Sequence, residues 1–355
     1  MNGAAMGTAS IGTAPVSATP AAEHLLEVRD LSVHFVLRRS FSDRLKRRSG
    51  RIARAVDGVS LSVDAGELLA LVGESGSGKT TLALAALRLL DPTAGTVLLQ
   101  GSDVTRLPRG ALRSLRRRAQ LIHQDPYAAL DPRLRSREIV AEGLRIHGLT
   151  ASKEDERAQV YASLTKVGLT PPESFAERYP HQLSGGQRQR VAIAGSLVLS
   201  PSLLVADEPV SMLDVSVRAG VLELLDKLRR EEGLGILMIT HDLATAAHVA
   251  DRVAVMYHGM LVELGPARSV IDAPQHPYTQ ALIAAVPRVH REEARKRTLP
   301  GEPPDASQVP PGCRFHPRCP IAMERCREEV PQLLPGITSG EQILVACHLR
   351  SASKA

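Results

Sequence analysis

The chain has no tryptophan, and aromatic residues fill only 3% of its 355 positions. A core without large rings must be built from Leu, Val, Ile and Ala. With 43% hydrophobic residues there are enough of them, and this composition suits a parallel sheet covered on both faces by helices. The shortage of rings also weakens nucleic-acid binding as a reading, because single strands are held on stacking platforms. Long apolar runs are missing too. The longest, 191–206, is broken by Ser196, Ser200, Pro201 and Ser202 and is followed by two acids, so nothing reads as a membrane span. Residues 1–23 have no basic start followed by an apolar block. Their Ala, Gly, Ser, Thr and Pro content reads as a disordered tail rather than a secretory signal. Only four cysteines occur, all beyond residue 312, and in a chain expected in the cytoplasm they are not expected to form disulfides.

The net charge of +6 is unevenly spread. Arg38, Arg39, Arg44, Lys46, Arg47, Arg48, Arg51 and Arg54 crowd one segment that holds a single acid, Asp43. A solvated loop without a specific ligand is the simpler reading. Attraction to anionic lipid headgroups or an acidic partner is the sharper one.

Along the chain, residues 25–35 alternate apolar and polar, as an antiparallel edge strand does, and residues 55–63 resume the alternation. Residues 68–72 (LLALV) read as a central buried strand feeding a glycine loop and a helix over 79–90, stopped by Asp91-Pro92. A short strand is expected over 120–124, and a charged helical subdomain over about 134–182. A helix should begin just after Ser184 and end near Leu199. Strands over 203–206 and 235–240, joined by a helix over 215–230, predict parallel crossovers. Proline and arginine become frequent after Pro266, which marks a C-terminal appendage over 266–355.

The chemistry is concentrated in Gly73-Glu74-Ser75-Gly76-Ser77-Gly78-Lys79-Thr80-Thr81, which satisfies G-x-x-x-x-G-K-[ST]. The glycines let successive backbone N–H groups face phosphate oxygens, and the helix start adds its positive dipole end. Lys79 is expected to reach the β- and γ-phosphates, and the Thr80 hydroxyl to hold Mg²⁺. Asp207 and Glu208 close an apolar strand at the edge where open α/β sheets bind ligands. Asp207 is expected to contact Mg²⁺ through water, and Glu208 to polarise the attacking water.

The phosphate loop, Leu183-Ser184-Gly185-Gly186-Gln187 and the strand ending in Asp207-Glu208, in that order, resemble the nucleotide-binding subunit of an ABC (ATP-binding cassette) transporter. That resemblance implies an α/β fold: an ABC-type P-loop NTPase core over 24–265, with an antiparallel β subdomain, the inserted helical subdomain and a small Cys-containing extension. It implies an ATPase with ATP and Mg²⁺ as ligands. Gln124 matches the family's Q-loop glutamine, near Mg²⁺ and the γ-phosphate, and His241 its switch histidine. Phe35 matches the aromatic that stacks on adenine, with Phe41 and ordinary core packing as alternatives. Ser184, Gly185, Gly186 and Gln187 would face ATP bound by a second cassette, and Asp214 would lie in the loop crossing that interface. Met212 stands where Ala is usual.

Further segments resemble the oligopeptide and dipeptide importers: residues 124–132 (QDPYAALDP), His276-Pro277-Tyr278-Thr279, Leu299-Pro300-Gly301, and 312–320 through Cys347-His348. The insertion before residue 55 is more similar to the F-type than the D-type ATPase of those systems. This implies a second, D-type ATPase subunit, two transmembrane permeases, an indirectly coupled extracytoplasmic solute-binding protein, and a peripheral position on the cytoplasmic face of the cell membrane. No nucleic acid is expected. Nickel or glutathione import, or a soluble ABC ATPase acting on nucleic acid, are the alternatives. Clustered thiolates suggest a metal. Cys313, Cys319, Cys326 and Cys347 are expected to hold a 4Fe–4S cluster by that resemblance, with Zn²⁺ or free thiols as alternatives.

Overall fold

All five residues of β3 (Leu68–Val72) are buried. Successive side chains of a strand point to opposite faces, so an unbroken apolar run needs cover on both. Leu69 and Leu71 join one hydrophobic cluster and Leu68, Ala70 and Val72 another. Each fully buried Leu contributes about 1.5–3 kcal/mol. The computed structural model describes residues 24–36, 52–285, 308–336 and 343–350. The expected N-terminal tail and most of the basic segment 38–54 lie outside the described residues.

Among the described residues the main sheet has eight strands in the order β11-β12-β10-β9-β3-β8-β7-β6. Its parallel centre comprises β6 (Ala119–Ile122), β7 (Leu203–Asp207), β8 (Gly235–Thr240), β3 and β9 (Arg252–Tyr257). β10 (Met260–Pro266), β11 (Leu334–Pro335) and β12 (Leu344–Val345) add antiparallel strands on one side. A second, antiparallel sheet runs β2-β1-β4-β5, from β1 (Leu26–Val36), β2 (Ile52–Val63), β4 (Ala94–Leu99) and β5 (Ser102–Asp103). Its inner residues Leu26, Val28, Val56, Val59 and Val97 share the cluster of Leu69 and Leu71. Helices Ser136–His147, Lys153–Lys166 and Pro172–Ala176 fall within the expected helical insertion, with breaks at Gly148 and Pro171, and the helix Gly185–Leu197, expected separately after Ser184, packs against the first two.

Three expectations need correction. β1 is not an edge strand, because it pairs with both β2 and β4. Alternation reports one-sided burial, not position in the sheet. The helix after the glycine loop ends at Ala86 rather than Leu90. Arg88 takes φ 52, and its buried guanidinium donates to the Val104 carbonyl at 3.0 Å and to Asp91 at 2.5 Å. β6 stops at Ile122, leaving Gln124 two residues into a loop.

Residues beyond 266 do not stand apart from the core. β12 pairs with β10, and Arg314 pairs with Asp57 of β2 and donates to the His258 carbonyl.

Candidate functional site

β3, β8, β7 and β6 are successive neighbours, so their carboxyl ends open onto one edge. β3 leads into the glycine loop. Gly78 has φ 103, and a β-carbon there would lie 2.0 Å from the Ala55 carbonyl oxygen of β2, so only glycine fits. The helix Lys79–Ala86 then begins, which puts its N-terminal amides at the loop.

Lys79 is nearly enclosed. Its Nζ donates to the carbonyls of Gly73 (2.9 Å) and Glu74 (2.8 Å) and approaches Ser77 Oγ at 3.4 Å. Burial lowers its pKa, opposed by the charges of Glu208, Asp207 and Glu74. Asp207 closes β7, and its Oδ1 accepts from the Thr80 hydroxyl at 3.3 Å. Burial raises the Asp207 carboxyl above the usual range. A buried carboxylate beside a hydroxyl offers oxygen ligands to a hard cation such as Mg²⁺.

Glu208 takes φ 45, and its backbone N–H donates to Ile239 of β8 at 2.9 Å. Its carboxylate is held from two sides. Gln124 Nε2 donates to Oε2 at 3.0 Å, and His241 Nδ1 lies 3.1 Å from Oε1. The structure thus brings together Lys79, Thr80, Asp207, Glu208, Gln124 and His241.

Ser184 lies outside that group. Among the described residues its hydrogen bonds stay within its own helix start: Ser184 Oγ accepts from Gln187 N at 3.3 Å, and Gln187 Oε1 accepts from Ser184 N at 3.0 Å. This capping box occupies the Gln187 side chain, a use that S-x-x-Q before a helix signals and that was not anticipated. Gly186 packs against the helix Val215–Glu232, where a β-carbon would meet Val217 Cγ1 at 2.3 Å. Asp214 precedes that helix and is exposed. The Arg188 guanidinium lies 4.3 Å from the Tyr127 ring centroid, so the helix after Ser184 touches the segment that follows Gln124. Phe35 sits near the end of β1 opposite Ala53 and is 41% exposed, so core packing does not claim it. Phe41 lies outside the described residues.

Sequence reading also missed contacts from the extension. Arg318 forms a two-pronged ion pair with Glu74 of the glycine loop, at 2.8 and 3.1 Å, and the Tyr278 hydroxyl accepts from the Glu74 backbone N–H at 2.9 Å. Partners 244 and 204 residues apart leave no local signal.

The four cysteines line one small cavity with Phe315, His276, His316 and His348. Among the described residues none of the four is joined in a disulfide. Burial pushes Cys313 up to about 11 and raises Cys319 and Cys347 as well. Among the described residues no group of three or more His, Cys, Asp or Glu is arranged to hold a metal ion, so the expected metal centre is not met by a ready-made ligand set. Among the described residues no helix is long and apolar enough to cross a membrane.

A phosphate loop at a parallel strand end, facing an Asp-Glu pair bracketed by Gln and His, defines a P-loop nucleotide hydrolase. The chain belongs to the ABC transporter family, whose match covers residues 56–211, and residues 262–326 match the family described as oligopeptide/dipeptide transporter, C-terminal region. It is 46% identical over 333 residues to a probable peptide ABC transporter ATP-binding protein of Sinorhizobium fredii, covering 93% of this chain and 91% of that one. It is 44% identical to the oligopeptide transport ATP-binding protein AppF of Bacillus subtilis, covering 93% and 98%. It is 43% identical to the di/tripeptide transport ATP-binding protein DppF of Pseudomonas aeruginosa, covering 92% and 98%. Among solved structures, a dimeric ATP-binding cassette in a post-hydrolysis state bound to ADP and Pi matches with TM-score 0.60 and 29% identity, over 68% of this chain and 99% of that one. The chain is an ABC ATPase.

Proposed function

We propose that this ATPase powers a membrane importer of di- or oligopeptides, as one half of an ATP-sandwich dimer. Residues 24–265 form the nucleotide-binding domain, with the helical subdomain at about 134–182, and 266–355 form the importer-type extension. The carrying observation is Glu208 held between Gln124 and His241, while among the described residues the hydrogen bonds of Ser184 stay within its own turn. A signature serine unconnected to its own phosphate loop is free to meet nucleotide on a second cassette.

In this reading the amides of Gly73–Thr81 and the Lys79 ammonium hold the triphosphate, and Phe35 stacks on adenine. Thr80 and Asp207 hold Mg²⁺, with Gln124 beside it. The ion supplies charge neutralisation on the β- and γ-phosphates. Glu208 orients and polarises water at the γ-phosphate, and His241 steadies both. Ser184, Gly185, Gly186, Gln187 and Asp214 form the face offered to the partner cassette.

The relatives' names support a peptide substrate, and the names AppF and DppF an F-type subunit; its partner would be a second, D-type ATPase. Two transmembrane permeases, with this chain peripheral at their cytoplasmic face, and an indirectly coupled extracytoplasmic solute-binding protein complete the assembly. Cys313, Cys319, Cys326 and Cys347 would hold a 4Fe–4S cluster. The four side chains, Cys326 buried and the others half-buried, line one cavity, which is the observation behind this reading, with Zn²⁺ as the alternative. Such a group supplies a covalent cross-link or an electron site.

The test is affinity purification of the full chain from its native membrane, followed by uptake into proteoliposomes. Recovery of two permeases and a second ATPase, with ATP-dependent dipeptide uptake, is expected. Uptake of nickel or glutathione but not peptide overturns the substrate, and recovery of RNA or DNA without permeases overturns the function.

A further inference from the structure

Glu74 is an awkward residue for its place. It is the second residue of a loop that must gather a polyanion, and its charge bears directly on Lys79. A carboxylate there repels the phosphates that Lys79 attracts. The loop itself offers no cation to offset it beyond Lys79.

The neutralising charge comes from the far end of the chain. Arg318 Nη1 and Nη2 grip Glu74 Oε2 and Oε1, a fork that matches the planar carboxylate. The Arg318 side chain is only 6% exposed. It is itself fixed: Nη1 lies 3.4 Å from the Tyr257 hydroxyl, and Tyr257, Tyr278 and Phe315 pack with ring centroids 4.6–5.5 Å apart. Those are three of only nine aromatics in the sequence, five Tyr and four Phe. Tyr278 of the same block also takes the Glu74 amide.

We propose that Arg318 is a positioning residue for nucleotide binding: a built-in counter-ion, held by an aromatic block shared between β9 and the extension, that cancels the Glu74 charge and so sets the affinity of the glycine loop for ATP. The inference rests on that loop being the phosphate site.

Arg318→Gln, Glu74→Gln and the double variant, in the full chain, are titrated with Mg-ATP and assayed for turnover. Arg318→Gln is expected to raise KM about tenfold, with kcat changed far less, because it uncovers a charge felt on binding. Adding Glu74→Gln removes the uncovered charge and returns KM close to the parent value. A purely structural brace gives the opposite result, a double variant as impaired as Arg318→Gln or worse. That outcome, or an unchanged KM in Arg318→Gln, overturns the proposal. If Arg318→Gln does not fold, Glu74→Gln alone decides: KM equal to or below the parent supports the counter-ion role, and a raised KM overturns it. Lys79→Ala is the control. Parent-like affinity in that variant sinks the phosphate-site assignment itself, whereas its loss beside an unaffected Arg318→Gln sinks only this inference.

Discussion

His241 Nδ1 lies 3.1 Å from Glu208 Oε1 while Gln124 Nε2 donates to Oε2 at 3.0 Å, so each oxygen of the carboxylate is held by a different neighbour. A carboxylate posed in this way can accept a proton from water without first reorienting.

Glu208→Gln keeps the size and both neighbours but removes the base. Phosphate release should fall about 10²- to 10⁴-fold. ATP-dependent association with the partner subunit, followed by gel filtration, should survive. Normal turnover in this variant would show that another group activates the water.

Gly78→Ala places a methyl 2.0 Å from a backbone oxygen of β2 at φ 103, where no side-chain rotation relieves the clash. The change should cost about 1–3 kcal/mol of stability and abolish nucleotide binding. Thermal melts with and without Mg-ATP check both. A parent-like melting curve refutes the loop geometry.

Glu263, wholly buried, accepts from the amides of Gln275 (2.8 Å) and His276 (3.0 Å), yet burial raises its pKa above the usual 4.5. The folded state therefore holds its proton longer than the unfolded state. Its contribution to stability is fullest below about pH 4.5 and is lost as pH climbs through the raised folded value. The slope is at most about 1.4 kcal/mol per pH unit. Denaturation midpoints between pH 5 and 8 should drop in the parent relative to Glu263→Gln. Parallel curves would rule this out.

Full-length protein purified without oxygen should be brown and carry about four irons per chain, all lost in a Cys319→Ser variant. A colourless protein with one zinc, or with no metal, ends the cluster proposal.

The buried strands were the legible part. β3 and β8 match their expected bounds, because an unbroken apolar run between polar breaks can do little but cross a core. The gathering of Asp207, Glu208, Gln124 and His241 at one sheet edge was legible because each stands at or just past a strand end, where topology fixes the address. What failed was set by distant partners. Arg88 ends its helix early to reach Val104, and β1 gains a second neighbour supplied by β4. Arg318 and Tyr278 find Glu74 across more than two hundred residues, a meeting that no local pattern encodes.

The two-residue strand at Leu344–Val345 has a consequence for anyone wishing to trim the molecule. It covers the outer flank of β10, whose amides and carbonyls would otherwise stand open to any passing strand. Cutting the chain before residue 308 would unzip that seam and make a sticky, self-associating product, however intact the catalytic machinery behind it.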